Sequence, residues 1–133
     1  MADCIFCKII NGELPSYKIY EDMEFIVFLD IFPATKGQTL IVPKKHIDYA
    51  FNLDESTYIK MMSLAKNVVK AIDSALKPLR TALVIEGFDV PHVHIRLHPC
   101  YDHGLKMARM DPKPSDDEFK ALAQKIKGSL GGY

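Results

Sequence analysis

The 133 residues suffice for one domain that buries roughly two thirds of its unfolded surface without disulfides, and 48% hydrophobic with 26% charged residues is ordinary for a globular chain. Lysine plus arginine balance aspartate plus glutamate at 17 each, so no overall field draws the chain to nucleic acid or an anionic membrane, and any attraction for phosphate has to be local. No apolar run approaches the ~18 residues of a membrane span, residues 1–7 lack the pattern of a secretory leader, and three cysteines in this setting read as reduced thiols or metal ligands, so a cytoplasmic protein is expected.

In chain order, Cys4-Ile-Phe-Cys7-Lys-Ile-Ile10 sets Phe6, Ile9 and Ile10 at helical spacing and predicts a short helix that Asn11-Gly12 ends. Strands are expected at residues 17–21, at 24–29 and at 38–42. The second is rich in Phe, Ile and Val and reads as buried on both faces; the third stops at Pro43, which has no amide hydrogen to donate. Asp30-Ile-Phe-Pro33 and Lys36-Gly37 supply the turn between them. Lys44-Lys45-His46 opens a loop reaching Asp54, a cap for the next helix. From Tyr58 onward Met62, Ala65, Val69, Ile72 and Leu76 recur in steps of four and three, the stripe of a long amphipathic helix that Pro78 terminates.

Segments 80–85 and 90–97 flank Glu86-Gly-Phe-Asp89 and read as a hairpin with a turn of about four residues. Segment 102–114, polar and holding Gly104 and two prolines, is expected to be irregular. Ser115-Asp-Asp-Glu118 has the spacing of a capping box, and Phe119, Leu122, Ala123 and Ile126 make the apolar face of a last helix closed by Gly128. No repeat, linker or low-complexity stretch interrupts residues 1–133, so one domain is expected. Strands and helices in separate runs argue an α+β fold with an antiparallel sheet.

The stretch Pro91-His-Val-His-Ile-Arg-Leu-His-Pro99 alternates polar and apolar residues, the mark of a half-buried strand. His92, His94, Arg96 and His98 would share one face at about 6.6–6.8 Å from each to the next, with Val93, Ile95 and Leu97 turned to the core. A neutral imidazole on a rigid strand serves as ligand, proton carrier or nucleophile. Arg96 argues against a metal in the middle of the row: a permanent cation repels one, but holds phosphate through bidentate hydrogen bonds. It would also lower the pKa of His94 and keep that ring nucleophilic.

His92-Val-His94-Ile resembles the first half of the histidine triad (HIT) motif, His-x-His-x-His-x-x with apolar x. Cys4-Ile-Phe-Cys7-Lys-Ile-Ile, the run from Tyr20-Glu-Asp to Phe28-Leu-Asp30-Ile, Gly37-Gln-Thr-Leu-Ile-Val-Pro-Lys-Lys-His46, and the stretch from Asp111-Pro-Lys to Phe119 are similar to HIT protein segments in the same order. The resemblance therefore covers nearly the whole chain. It implies a five-stranded antiparallel sheet with one long helix and a carboxy-terminal helix, usually as a homodimer. It also implies binding of a purine nucleotide and cleavage at its α-phosphorus, as a hydrolase or transferase acting on nucleoside phosphoramidates or dinucleoside polyphosphates. The nucleophile falls on His94, which would form a nucleotidyl-histidine; His92 would orient its ring, directly or through backbone. Phe6, Phe28, Leu29, Asp30, Ile31 and Leu40 match positions that enclose base and ribose, with Asp30 an acceptor for ribose hydroxyls. Cys4, Cys7, His46 and His92 would make the structural zinc site of bacterial-type members.

Three departures from the pattern bear on catalysis. Arg96 replaces the third histidine, Gln38 stands where Gly-His-Thr is usual, and the loop at residues 86–89 is short. His98 is absent from the usual pattern; it extends the row and is counted with the nucleotide-binding residues. Two other readings remain open at this level: a nucleotide-binding or scaffolding HIT protein with little catalysis, and a catalytic metal centre built on the histidine row itself.

Overall fold

In the computed structural model, which describes residues 3–131, helices begin and end where the sequence supplies caps. Helix α1 (Ile5–Ile10) opens with the Cys4 sulfur accepting from the Cys7 amide and closes at Asn11, followed by Gly12 at a φ of 78°. Helix α2 (Glu55–Leu76) starts where the Asp54 carboxylate accepts from the Thr57 amide and ends at Lys77, in the left-handed region, just before Pro78. Helix α3 (Asp116–Ser129) carries the full capping box of Ser115 and Glu118. Gly128 lies inside α3 and does not close it, as its place in the sequence had suggested.

Five strands, β1 (Lys18–Glu21), β2 (Phe25–Leu29), β3 (Thr39–Pro43), β4 (Arg80–Val84) and β5 (Ile95–Cys100), form one antiparallel sheet in the order β1-β2-β3-β5-β4. The expected α+β architecture, with one long helix and a carboxy-terminal one, is the observed one. Helices α2 and α3 cover one face. There Val27, Leu29, Ile41, Ile95 and Leu97 from the sheet meet Met61, Leu64, Val68, Ile72, Phe119 and Ile126 from the helices. The buried stripe of α2 is partly rotated from the expected one: Ala65 and Ile72 are buried as expected and Met61, Leu64 and Val68 join them, whereas Tyr58, Met62, Val69 and Leu76 are only partly buried. Packing against α3 as well as the sheet turns the helix toward its Met61–Val68 side.

The opposite face carries a second cluster of Phe6, Ile26, Phe28, Leu40 and Val42, roofed by α1. A six-residue helix is too short to persist alone in water, so its place depends on what Phe6 and the two cysteines hold.

The hairpin differs from expectation. Strand β5 begins at Ile95 and not at residue 90, and residues 85–94 form the connection from β4. The Val93 amide donates to the Ile47 carbonyl and the His92 amide to the Val90 carbonyl, so this backbone pairs with the loop after β3 and with itself, not with β4. Pro99 sits within β5 opposite Thr81. The Cys100 carbonyl accepts from Leu79 across the β4 ladder; by alternation, the nitrogen of Pro99 faces the other way, past the last β3–β5 pair at Thr39 and Leu97, where no amide hydrogen is needed.

Candidate active site and metal cluster

Along β5 the alternation that turns Ile95 and Leu97 into the core turns His94, Arg96 and His98 to the opposite face. They line a cleft of about 400 Å³ together with Phe6 and Ile9 of α1, Phe28 and Leu29 of β2, Asp30 and Ile31 beyond it, and Gln38 and Leu40. Every residue singled out in the sequence for catalysis or nucleotide contact is in this cleft except His92. His92 precedes the strand and is turned aside, so the four-residue row is in fact three cleft residues and one that faces elsewhere.

His94 is buried, and its Nδ1 lies 2.8 Å from the His92 carbonyl oxygen. A carbonyl only accepts, so Nδ1 carries the hydrogen, and in the neutral ring Nε2 keeps its lone pair. Burial holds the imidazole below its ordinary pKa; the His92 carbonyl pulls the other way, and the Arg96 guanidinium adds to the lowering. The ring is thus neutral near pH 7 with one defined tautomer. Phe6 packs edge-on against it, ring centres 4.9 Å apart.

Arg96 contacts Glu86 through a terminal nitrogen at 3.4 Å, while its Nε is buried without a hydrogen-bond partner. Gln38 is a clamp: its carbonyl oxygen accepts from the Ala34 amide, and its Nε2 donates to Asp30 Oδ2, both at 2.8 Å. Asp30 Oδ1 accepts from the Phe32 amide at 2.9 Å. The carboxylate is therefore fixed in place with lone pairs to spare.

His92 points to the amino terminus. Its Nε2 donates to the Pro43 carbonyl at 2.7 Å, which leaves Nδ1 as the free donor atom, and burial lowers its pKa toward the neutral, ligating form. The ligand atoms of Cys4, Cys7, His46 and His92 all lie within 4.8 Å of one another. His92 Nδ1 is 3.3 Å from Cys4 Sγ, 3.6 Å from Cys7 Sγ and 3.1 Å from His46 Nδ1, and Cys7 Sγ is 3.3 Å from His46 Nδ1. Around a tetrahedral zinc, nitrogen and sulfur bonds of the usual length set edges of about 3.3–3.8 Å. Two thiols, two imidazoles and these separations fit a metal ion, which would pin α1 to the loop after β3 and to the segment before β5.

Glu86, Met107 and Arg109 are among the cleft residues that escaped the sequence reading. Glu86, taken there as a turn residue, is the counter-ion of Arg96; the signal was available, since a cation on a buried strand needs a partner. Met107 and Arg109 reach the cleft from the irregular segment, with the Arg109 guanidinium 4.6 Å from the centre of the Phe32 ring. Nothing in their spacing marks them.

The HIT domain family model matches residues 11–103. The sequence is 48% identical to an uncharacterized HIT-like protein of Borreliella burgdorferi, over 98% of this chain and all of that one. It is 37% identical to an adenosine 5′-monophosphoramidase of Saccharomyces cerevisiae, over 98% of this chain and 85% of that one. The crystal structure of a zinc-bound histidine triad family protein from Mycobacterium smegmatis superposes with a TM-score of 0.83 at 26% identity, covering 97% of this chain and 94% of that one. A domain match over most of the sequence, joined to relatives matched over nearly their whole length, makes this chain a member of the HIT family.

Proposed function

We propose that this protein is a hydrolase or transferase that cleaves purine nucleotide conjugates, nucleoside phosphoramidates or dinucleoside polyphosphates, at the α-phosphorus through a nucleotidyl-His94 intermediate. The observation that carries the reading is the Nδ1–H bond from His94 to the His92 carbonyl, which leaves a neutral Nε2 in the cleft. The Saccharomyces relative, named an adenosine 5′-monophosphoramidase, supports it. The Nε2 lone pair attacks phosphorus, the bond to the leaving group breaks, and that group takes a proton from solvent. Water then attacks the phosphorus, the phosphorus–nitrogen bond breaks, and His94 returns to its neutral form. Arg96 holds the phosphate oxygens, releasing Glu86. Phe6, Phe28, Leu29, Ile31 and Leu40 enclose the base and sugar, and Asp30, steadied by Gln38, accepts from ribose hydroxyls. Zinc at Cys4, Cys7, His46 and His92 is structural in this reading.

The protein acts in the cytoplasm as a homodimer. Support for the dimer comes from β4, which pairs with β5 on one edge only, and from exposed Phe51, Ile59, Leu79 and Leu83. The second reading, a nucleotide-binding protein with little catalysis, draws on the Glu86 carboxylate beside the phosphate-binding Arg96. Acid quench during turnover of adenosine 5′-phosphoramidate separates the two: an adenylyl adduct on the peptide holding His94 is expected. His94→Ala should abolish turnover, while His94→Gly and His94→Asn keep nucleotide binding. Hydrolysis retained by these variants refutes the nucleophile.

A further inference from the structure

The side chain that the proposed chemistry leaves unused is His98. It is 1% exposed, and neither ring nitrogen completes a hydrogen bond of good geometry, although the Lys106 backbone lies close enough to act on the ring. Folded proteins seldom bury a polar ring in this way without a use for it. The ring lines the cleft and also a small, partly open cavity of about 30 Å³ lined by Thr35, Asp102 and Lys106. That cavity has room for one water, so one nitrogen can be satisfied from behind while the other is left for a ligand.

The surroundings decide the ligand. The Asp30 amide donates to the Gln38 carbonyl, and the β3–β5 register, which pairs Leu40 with Arg96 and Thr39 with Leu97, sets Gln38 opposite His98 when continued by one step. His98 therefore faces the Gln38–Asp30 clamp across the sheet. Three carboxylates, Asp30, Glu86 and Asp89, and two guanidiniums, Arg96 and Arg109, line the same cleft, so their charges largely offset and a neutral group suits the place beside His98. An apolar group would leave His98 unpaired. A neutral polyol satisfies both sides: its hydroxyls donate to Asp30, and the neutral imidazole offers one donor and one acceptor. Burial first, and Arg96 second, keep that ring neutral near pH 7. His94, immediately before β5, and His98, within it, are four residues apart, about 13 Å between backbones along extended chain, a span that lets a nucleoside 5′-phosphate held at phosphorus by His94 turn its sugar toward His98.

We propose that His98 and Asp30 together read the vicinal hydroxyls of the ribose, making the cleft selective for ribonucleoside over deoxyribonucleoside substrates. This rests on the nucleotide reading of the cleft and adds a specificity-determining residue to it. The test compares adenosine 5′-phosphoramidate with its 2′-deoxy and 3′-deoxy analogues. At least one analogue should lose about tenfold or more in kcat/KM with the wild-type protein. In His98→Leu that preference should shrink to less than about twofold through loss on the ribose substrate, mainly in KM, and His98→Gln should restore part of it. A wild-type preference below twofold overturns the proposal, and so does a His98→Leu protein with the wild-type preference intact or a His98→Gln protein no more selective than His98→Leu. Calorimetric binding of AMP, 2′-deoxy-AMP and 3′-deoxy-AMP to the same proteins reads the preference without turnover. Absence of turnover on all three phosphoramidates counts against the catalytic reading alone, and the binding ratios then decide the role of His98 by the same thresholds.

Discussion

Removing the metal should detach α1, and the size of the effect follows from what that helix buries. Helix α1 has six residues, about half of what an isolated helix needs to persist in water, so without its anchors it unravels. Its main packing contribution is Phe6, 6% exposed among Phe28, Leu40 and the two site histidines. Re-exposing that ring costs about 2–3 kcal/mol, and the half-buried Ile9 and Ile10 bring the total to roughly 4 kcal/mol. With an unfolding entropy near 2.1 cal/mol/K per residue over 133 residues, roughly 4 kcal/mol lowers Tm by about 14 °C. The assay is thermal unfolding by circular dichroism, with and without a strong chelator, on the wild-type protein and on Cys4→Ser. Metal analysis in parallel should find one zinc per chain, lost in Cys4→Ser and kept in His94→Ala. A chelated, metal-free protein whose Tm falls by less than about 2 °C would show that packing alone holds α1. Zinc kept in Cys4→Ser but lost in His94→Ala would move the metal to the histidine row.

Two further outcomes follow from the charges in the cleft. Arg96→His replaces a permanent cation that lowers the pKa of His94, so the acid limb of the kcat/KM profile should move to higher pH; an unchanged profile refutes that coupling. His98 is held neutral in the folded protein, whereas in the unfolded chain it titrates near 6.5. Above that pH it contributes no slope. As pH falls below it, the unfolded chain takes up a proton that the folded one refuses, and stability drops by about 1.4 kcal/mol per pH unit until the lowered folded pKa is reached. Urea midpoints between pH 7 and 5 should therefore fall less steeply in His98→Leu, and equal slopes would refute the buried neutral ring.

What was legible in the sequence is what local rules encode. Asp54, Ser115 with Glu118, and Asn11-Gly12 satisfy helix ends within a few residues of themselves, and all three helices appear where these caps set them. Alternation likewise brought His94, Arg96 and His98 to one face. The misjudged features depend on partners far along the chain. The start of β5 is displaced because the Val93 amide finds the Ile47 carbonyl, and His92 leaves the row because Cys4, Cys7 and His46 converge on it. The α2 stripe rotates because α3, nearly forty residues later, packs beside it. Glu86 gains its role only once the β4–β5 connection folds over Arg96. Period and capping are written in neighbouring residues; convergence is written in the topology.

His92 shows how the two sites become one device. Its Nδ1 faces the cysteine pair, its Nε2–H is bound by Pro43, and its carbonyl takes the Nδ1–H of His94. A metal at the four-residue cluster would fix the ring, Pro43 fixes which nitrogen is free to ligate it, and the carbonyl fixes which nitrogen of His94 keeps its lone pair. That last contact is made by backbone, so any residue at position 92 supplies the carbonyl; what the histidine side chain adds is the carbonyl's position. The same cluster anchors the helix that presses Phe6 against His94. A metal held by these four residues would thus act on the proposed nucleophile by two routes, one through the main chain and one through a ring contact, both ending on the same imidazole.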